Sequence, residues 1–249
     1  MAELVTIRCL SDNYAYLVHG DGETALIDAP EADPILAELE RRGWALDHVL
    51  LTHHHADHIQ AVADIVAATG AGVTGNAADA ARLPSPDRAV SPGDAFAMCG
   101  DQVQVIDVPG HTVGHVAFHL PGSRLVFTAD SLMALGCGRL FEGTAAQMWD
   151  SLSRLNALPA ETIVCSGHDY CRSNGAFALS VDPDNRALRE RLDATAAGRR
   201  ACSPSTLADE RETNPFLRAP LLAAGLGMAD AAPAEVFARL RQLKDEFRG

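Results

Sequence analysis

The stretch THHHADH, residues 52–58, places four imidazoles and one carboxylate directly after an apolar run. Imidazole and carboxylate groups are the usual protein ligands of zinc and similar divalent cations. Alternate side chains of an extended segment share one face, so His53 and His55 are predicted to hold one metal ion. Asp57 and His58 stand at the start of the following helix, where they are predicted to turn toward a second ion.

A histidine outside such a cluster has a simpler explanation. Isolated histidines are usually solvated or hydrogen-bonded, and this role is expected for His19, His48 and His119. The dense cluster differs, because polar groups beside an apolar strand cost free energy unless they have partners or a function. His54 faces away from its two neighbours and is therefore predicted to lie outside the metal shell.

Three later segments share one design, in which an apolar run ends abruptly in residues that can bind metal. The polar ends of such strands are predicted to gather at one edge of a sheet. The segments are QVQVIDVPGHTVGH (102–115), RLVFTADS (124–131) and ETIVCSGHDY (161–170).

The remaining pattern predicts an α/β chain with a helical end. NYAYLVHG and ETALIDAP read as strands joined by a tight turn at residues 20–22. A helix is predicted from about Pro34 to Arg42, and another after the histidine cluster, ending at Gly70. From about Cys171 onward the strand-like runs disappear. We therefore predict a catalytic domain over residues 1–170 and a mainly helical domain over 171–249.

Charge and cysteine content restrict the partners and the compartment. A formal net charge of −13 argues against nucleic acid or an anionic membrane as the main partner. No basic leader or long apolar run is visible in the sequence, which favours the cytoplasm. The six cysteines form no close pair, so they are expected to be free thiols. The oligomeric state is taken to be monomeric.

The histidine stretch matches the THxHxDH signature of the metallo-β-lactamase superfamily, and the other ligand motifs follow in the family's order. The resemblance implies an αββα sandwich with two divalent metal ions, zinc first, with iron or manganese as alternatives. His115 is not a ligand in the family pattern and is expected to pack beside the ligands. The implied first-metal ligands are His53, His55 and His111, the second-metal ligands are Asp57, His58 and His168, and the bridging ligand is Asp130.

Within that superfamily the chain resembles the glyoxalase II, or hydroxyacylglutathione hydrolase, family over nearly its full length. The last four of the matching segments lie in or lead into the predicted helical domain, which in this family helps to bind glutathione. The matching segments are SDNYAYL (11–17), CGRLFEGTAAQMW (137–149), GHDYCRSN (167–174), PSTLADE (204–210), NPF (214–216) and RQLKDEF (241–247).

The same resemblance implies a set of glutathione contacts. Phe141 stands where a tyrosine is frequent, and the lost hydroxyl removes a hydrogen bond worth about 0.5–1.5 kcal/mol. Lys244 is the only lysine of the chain, which suggests that a compact ammonium is needed at this position. The implied contacts are Arg139 (where a lysine is frequent), Phe141, Tyr170, Asn174, Arg241 and Lys244.

The implied activity is hydrolysis of S-lactoylglutathione, a thioester formed in methylglyoxal detoxification. Two metal ions share and activate a water molecule that attacks the thioester carbonyl. Asp57 is both a ligand and the candidate acceptor of the water's proton. The alternatives are a glutathione persulfide dioxygenase with one iron, another thioesterase or lactonase of the superfamily, or a non-catalytic metal-binding module.

Overall fold

The computed structural model describes residues 1–248, and Gly249, the last residue of the predicted second domain, lies outside them. The chain divides into two compact units. The first unit comprises residues 1–107 and 114–129, and the second comprises 108–113 and the chain from Asp130 onward.

A mixed six-stranded sheet forms the larger part of the first unit. Its first three strands are antiparallel, and the pairs from the third strand onward are parallel. In sheet order the strands are β1 (Glu3–Cys9), β2 (Asn13–Gly20), β3 (Glu23–Ile27), β4 (His48–Leu50), β5 (Gly72–Asn76) and β6 (Arg88–Val90).

Four antiparallel strands of the first unit form a second sheet layer. In sheet order they are β10 (Leu125–Ala129), β9 (Val116–Leu120), β8 (Asp101–Asp107) and β7 (Ala95–Met98). Every residue of β9 and β10 is buried. Tyr16 on β2 packs against Phe127 on β10 with ring centroids 5.6 Å apart, so the two layers share an interior.

The predicted hairpin and first helix are confirmed. The turn between β2 and β3 has φ values of 54° at Asp21 and 80° at Gly22, which suit a tight hairpin turn. Helix α1 spans Ala32–Arg42 and ends at Gly43, whose φ of 67° is the left-handed conformation that glycine adopts most readily. Ile35 and Leu39 bury the inner face of this helix.

The single helix predicted after the histidine cluster is wrong, because the chain forms two short helices there. They are α2 (Ala56–Ile59) and α3 (Val62–Thr69), with α3 ending at Gly70. The backbone of Ala29 causes the break. Its N–H donates to the carbonyl of His58 at 2.7 Å, and its carbonyl accepts from the N–H of Ala61 at 3.0 Å. The carbonyl of His58 and the N–H of Ala61 therefore bond to Ala29 instead of forming the hydrogen bonds of a continuous helix.

The second unit is mainly helical, as predicted for the C-terminal part of the chain. Three short strands of this unit were not predicted: β11 (Leu132–Met133), β12 (Gly136–Cys137) and β14 (Ser205–Thr206), the last of which pairs with the strand Ile163–Ser166. The elements are β11 (Leu132–Met133), β12 (Gly136–Cys137), α4 (Ala145–Asn156), β13 (Ile163–Ser166), α5 (Cys171–Val181), α6 (Arg186–Ala196), β14 (Ser205–Thr206), α7 (Leu207–Thr213), α8 (Ala219–Leu222) and α9 (Pro233–Glu246).

The expectation of six free thiols is wrong. A disulfide joins Cys171, the first residue of α5, to Cys202, and both cysteines belong to a small apolar cluster that includes Leu135 and Leu188. Cys9, Cys99, Cys137 and Cys165 are buried thiols. Sequence spacing could not reveal the pair, because the two cysteines are separated by 31 positions and meet only in the folded unit.

The predicted α/β class is confirmed by mixed sheets with helices and by the helical C-terminal part. Within residues 1–248, no helix combines the length and the apolar composition needed to cross a bilayer.

Candidate metal centre and substrate pocket

The histidine cluster follows β4 in the first unit and lies at the end of a buried strand. His53 and His58 are fully buried. The ring of His53 lies 4.8 Å from that of His55 and 4.3 Å from that of His58, measured between centroids. The three imidazoles therefore lie close together.

Asp28 is a part of this cluster that the sequence analysis missed. One carboxylate oxygen accepts the N–H of Thr52 at 2.9 Å; the other accepts the hydroxyl of Thr52 at 2.8 Å and lies 2.9 Å from Nδ1 of His58. Ligand atoms of Asp28, His53 and His58 all lie within 4.8 Å of one another. A carboxylate at Nδ1 holds the proton there and leaves Nε2 of His58 as the ligand atom.

A signal for Asp28 was present in the sequence. Strand β3 ends at Ile27 and Asp28 follows it, so an apolar run stops at a carboxylate, the same design that identified the other segments.

Asp57 is oriented by Asn13, the first residue of β2. The amide of Asn13 donates to the side chain of Asp57 at 3.0 Å and to its backbone carbonyl at 3.0 Å. The side chain of Asp57 remains 42% exposed, and one of its oxygens lies 3.8 Å from Nε2 of His58. Asn13 belongs to the SDNY segment, which therefore contributes to the first unit's cluster.

The two remaining histidines of the motifs have contacts of their own. His115 is buried and stacks on His53, with ring centroids 4.6 Å apart and planes 9° apart. His54 places Nδ1 at 3.1 Å from a carboxylate oxygen of the buried Asp79, and Arg82 contacts both.

The second unit brings together the other candidate ligands. One oxygen of Asp130 lies 3.3 Å from Nε2 of His111 and 3.4 Å from Nε2 of His168. Asp130, His111 and His168 are all buried. Nδ1 of His111 lies 2.8 Å from the carbonyl of Arg139, to which it donates its proton, so Nε2 is the ring atom that faces Asp130.

Gly138 makes this arrangement possible. A Cβ at this position would lie 1.9 Å from the carbonyl oxygen of Asp130 and 3.0 Å from Nδ1 of His111. Only glycine lets the backbone pass so close to both residues.

The residues predicted to contact glutathione all line one cavity of about 510 Å³ in the second unit. His111 and Asp130 line the same cavity. The predicted residues are Arg139, Phe141, Tyr170, Asn174, Arg241 and Lys244.

The aromatic residues of the cavity lie against the candidate ligands. Tyr170 stacks on His168 with centroids 4.7 Å apart and planes 5° apart. Phe141 meets His111 edge to face at 5.2 Å, and 63% of its surface is exposed. These rings give the cavity an apolar wall next to the imidazoles.

Arg241 and Asn174 are buried and already bonded to the protein. Arg241 donates to the carbonyl of Cys137 at 3.0 Å and to Asp245 at 2.8 Å. The amide of Asn174 donates to the carbonyl of Ala134 at 3.1 Å. Both side chains therefore shape the wall of the cavity, in addition to any contact with a ligand.

Lys244 is the partly buried cation of the cavity. Its ammonium donates to the carbonyl of Ser173 at 2.9 Å. Burial, with help from the positive charges of Arg241 and Arg139, lowers the pKa of Lys244 to about 8. A ligand carboxylate beside it would relieve this electrostatic strain, so the cavity is suited to an anionic ligand.

The donor groups fit divalent cations in both units. His58 and His111 each have a hydrogen-bonding partner at Nδ1, which is the arrangement that zinc and iron sites use. The chemistry of the donors does not distinguish among these metals.

Comparisons with known proteins agree with this class of site. Residues 10–168 match the metallo-β-lactamase superfamily model, so the chain falls in that class. The structure of ETHE1 from Myxococcus xanthus is similar, with a TM-score of 0.69, 28% identity, and coverage of 97% of this chain and 90% of that chain. The structure of TTHA1623 in a di-iron-bound form has a TM-score of 0.62 and 31% identity, covering 86% of this chain and 100% of that one.

The C-terminal part narrows the class to one family. Residues 169–247 match the model of the hydroxyacylglutathione hydrolase C-terminus. A hydroxyacylglutathione hydrolase of Ruegeria pomeroyi is 60% identical over 98% of this chain and 99% of its own length. The chain therefore belongs to the hydroxyacylglutathione hydrolase family of the metallo-β-lactamase superfamily.

Proposed function

We propose that this chain is a metal-dependent thioesterase that hydrolyses S-(2-hydroxyacyl)glutathione, such as S-D-lactoylglutathione, to glutathione and the 2-hydroxy acid. The observation that carries the proposal is one cavity that contains the candidate ligands His111 and Asp130 together with the cationic Lys244. Family membership over the full chain supports the same reaction.

The metal ligands are assigned on the family pattern. We assign His53, His55 and His111 to one divalent ion, Asp57, His58 and His168 to a second, and Asp130 to both. Zinc is proposed first, with iron or manganese as alternatives. Support comes from the clustering of imidazoles and carboxylates within each unit.

The chain's own residues prepare the reaction. When bound, the metal pair supplies a hydroxide nucleophile near neutral pH and stabilises the negative charge that develops on the thioester oxygen. Asp57, held by Asn13, takes the proton of the attacking water. Hydrogen bonds to the Nδ1 atoms of His58 and His111 keep both Nε2 atoms available as ligands. The glutathione thiolate is a good leaving group because its pKa is close to that of an ordinary thiol, about 8.5.

The substrate's glutathione part is proposed to lie in the cavity of the second unit. Lys244 and Arg241 face its glycine carboxylate, and Tyr170 and Asn174 face its backbone. Phe141 and Arg139 form the wall next to His111. The lack of a hydroxyl on Phe141 weakens glutathione binding relative to family members that have tyrosine there.

The alternative activities are not favoured. A dioxygenase, a lactonase or a non-catalytic metal module accounts neither for the C-terminal family match nor for the full-length similarity to proteins named hydroxyacylglutathione hydrolase. A monomeric state, a cytoplasmic location, and the division at residues 170 and 171 stay predictions, as does the absence of nucleic-acid and membrane partners.

The function is tested by an assay with and without a chelator. We expect the purified protein to hydrolyse S-D-lactoylglutathione, to lose activity in a strong chelator, and to regain it when zinc is added. Elemental analysis of the active protein should find about two ions per chain. Oxygen uptake with glutathione persulfide, without thioester hydrolysis, would replace this proposal with the dioxygenase.

The lowered pKa of Lys244 predicts a pH-dependent affinity. The ammonium binds a carboxylate below pH about 8 and loses its charge as the pH rises through that value. With a pKa of about 8, the charged fraction of Lys244 falls about tenfold between about pH 7 and pH 9. We therefore expect the KM for the thioester to rise about tenfold over the same range.

The control for this prediction is a pair of variants on α9. Lys244→Ala should have a raised KM that no longer changes over this pH range. Arg239→Ala, which removes an exposed cation of the same helix, should keep the wild-type profile. An unchanged pH profile in Lys244→Ala would show that another group causes the dependence.

A further inference from the structure

The hairpin Leu132–Cys137, formed by β11 and β12, lines the cavity through Met133 and Cys137. Its backbone is held largely by side chains from outside the hairpin. Asn214 donates to the carbonyls of Met133 and Gly136. Asn174 donates to the carbonyl of Ala134, and Arg241 donates to that of Cys137. Glu210 accepts the N–H of Leu135.

Asn214 makes the central contact. It follows α7 directly and is fully buried. Its amide nitrogen donates to the carbonyl of Met133 at 3.0 Å and to that of Gly136 at 2.9 Å, which lie on opposite strands of the hairpin. One side chain thus fixes the spacing of β11 and β12. Its oxygen accepts the N–H of Phe216 at 3.0 Å, which sets the orientation of the amide.

Glu210 lies beside the amide of Asn214 and binds the tip of the hairpin. One of its oxygens lies 3.0 Å from the amide nitrogen of Asn214 and 2.9 Å from the N–H of Leu135. The other oxygen forms a buried ion pair with Arg191 at 2.6 Å. The carboxylate is fully buried and therefore has a fixed position.

Leu135, at the tip, has a conformation that needs such support. Its φ of 59° lies in the left-handed region, which a leucine adopts only when its surroundings hold it there. The side chain is fully buried, and the N–H is bound by Glu210. The hairpin is therefore held in one conformation by groups from other elements.

The hairpin connects two groups of the candidate site. Asp130 precedes it, and Arg139, whose carbonyl accepts from Nδ1 of His111, follows it. The two ends are joined by a hydrogen bond from the N–H of Gly138 to the carbonyl of Ser131 at 3.1 Å. A change in the spacing of the strands would therefore move Asp130, Arg139 and the wall of the cavity.

We propose that Asn214 is a positioning residue: through the hairpin Leu132–Cys137 it fixes the cavity wall and the orientation of His111. This role rests on the proposed function, because the cavity is taken to bind the glutathione part of the substrate. The NPF segment, residues 214–216, then has a role in shaping the substrate site as well as in stability.

The test compares Asn214→Ala and the milder Asn214→Ser with Glu212→Gln, which changes an exposed residue on the same helix. Kinetics are measured at a temperature where thermal unfolding curves show each variant to be folded. We expect Asn214→Ala to raise the KM for S-D-lactoylglutathione and to lower kcat, each by about tenfold or more, as losing an orienting partner commonly does. Asn214→Ser, whose hydroxyl can serve only one of the two carbonyls, should fall between alanine and wild type.

Hydrogen exchange supplies a readout that does not depend on catalysis. Amides of residues 132–137 should exchange faster in both Asn214 variants, and those of Glu212→Gln should match wild type. If the alanine variant does not fold, the serine variant carries the test.

Two results would overturn the proposal. The first is a folded Asn214 variant with unchanged KM and only a lower melting temperature, which is the result expected of a purely structural residue. The second is unchanged exchange in the hairpin. Failure of the proposed function is a separate result, because it would appear as an inactive wild-type protein while hydrogen exchange still reported on the hairpin.

Discussion

An Asp130→Asn variant is expected to lose about a thousandfold in kcat/KM for S-D-lactoylglutathione, which corresponds to about 4 kcal/mol of transition-state stabilisation. The carboxylate lies 3.3 Å from His111 and 3.4 Å from His168 and is buried with them. Asparagine has nearly the same shape as aspartate but no negative charge. That charge is what stabilises cations in a buried site. We expect elemental analysis to find fewer metal ions per chain.

The matched control is Asp150→Asn, which neutralises an exposed carboxylate on α4 and should leave metal content and kinetics unchanged. The loss of bound metal ions is the primary effect that we expect, and the lower rate follows from it. If Asp130→Asn retained its full metal content and lost activity only, Asp130 would act on the substrate, and its proposed bridging role would be wrong.

The elements that could be predicted from sequence are those decided by neighbouring residues. The hairpin at Asp21 and Gly22, and the end of α1 at Gly43, follow from local backbone preferences. The same holds for the strands before Asp130 and His168, where an apolar run stops at a polar residue.

The errors come from contacts between residues that are distant in sequence. The backbone of Ala29 divides the helix predicted after the histidine cluster, and the disulfide joins Cys171 to Cys202. Strand β14 exists only because Ile163 and Val164 offer it a partner. Periodicity describes one segment at a time and contains no information about these pairings.

The candidate site shows the same division. The proposed ligands follow from motifs, but the groups that orient them do not. Asn13 reaches Asp57 across 44 positions, and Arg139 reaches His111 across 28. Both contacts involve groups that are common in any sequence, an amide and a backbone carbonyl, so only the fold identifies them.

Among the groups that orient the proposed ligands, Asp28 should have the largest effect on metal affinity when it is replaced. We expect Asp28→Asn to lower metal affinity by about ten- to a hundredfold, the usual effect of losing an outer partner of a metal ligand. The N–H of Thr52 needs an acceptor, so the asparagine oxygen must face it. The asparagine NH₂ then faces Nδ1 of His58 and donates to it, which moves the imidazole proton to Nε2, the atom needed as a ligand.

Asparagine also separates the side-chain effect from a backbone effect. Asp28 has a φ of 57°, and asparagine tolerates this left-handed conformation as well as aspartate does. Asp21→Asn makes the same change at an exposed residue with a φ of 54° and should behave as wild type. Metal affinity can be measured by competition with a chelator of known affinity. Equal affinities for Asp28→Asn and Asp21→Asn would mean that the proton on His58 is set by another group, because the backbone strain is the same in both variants.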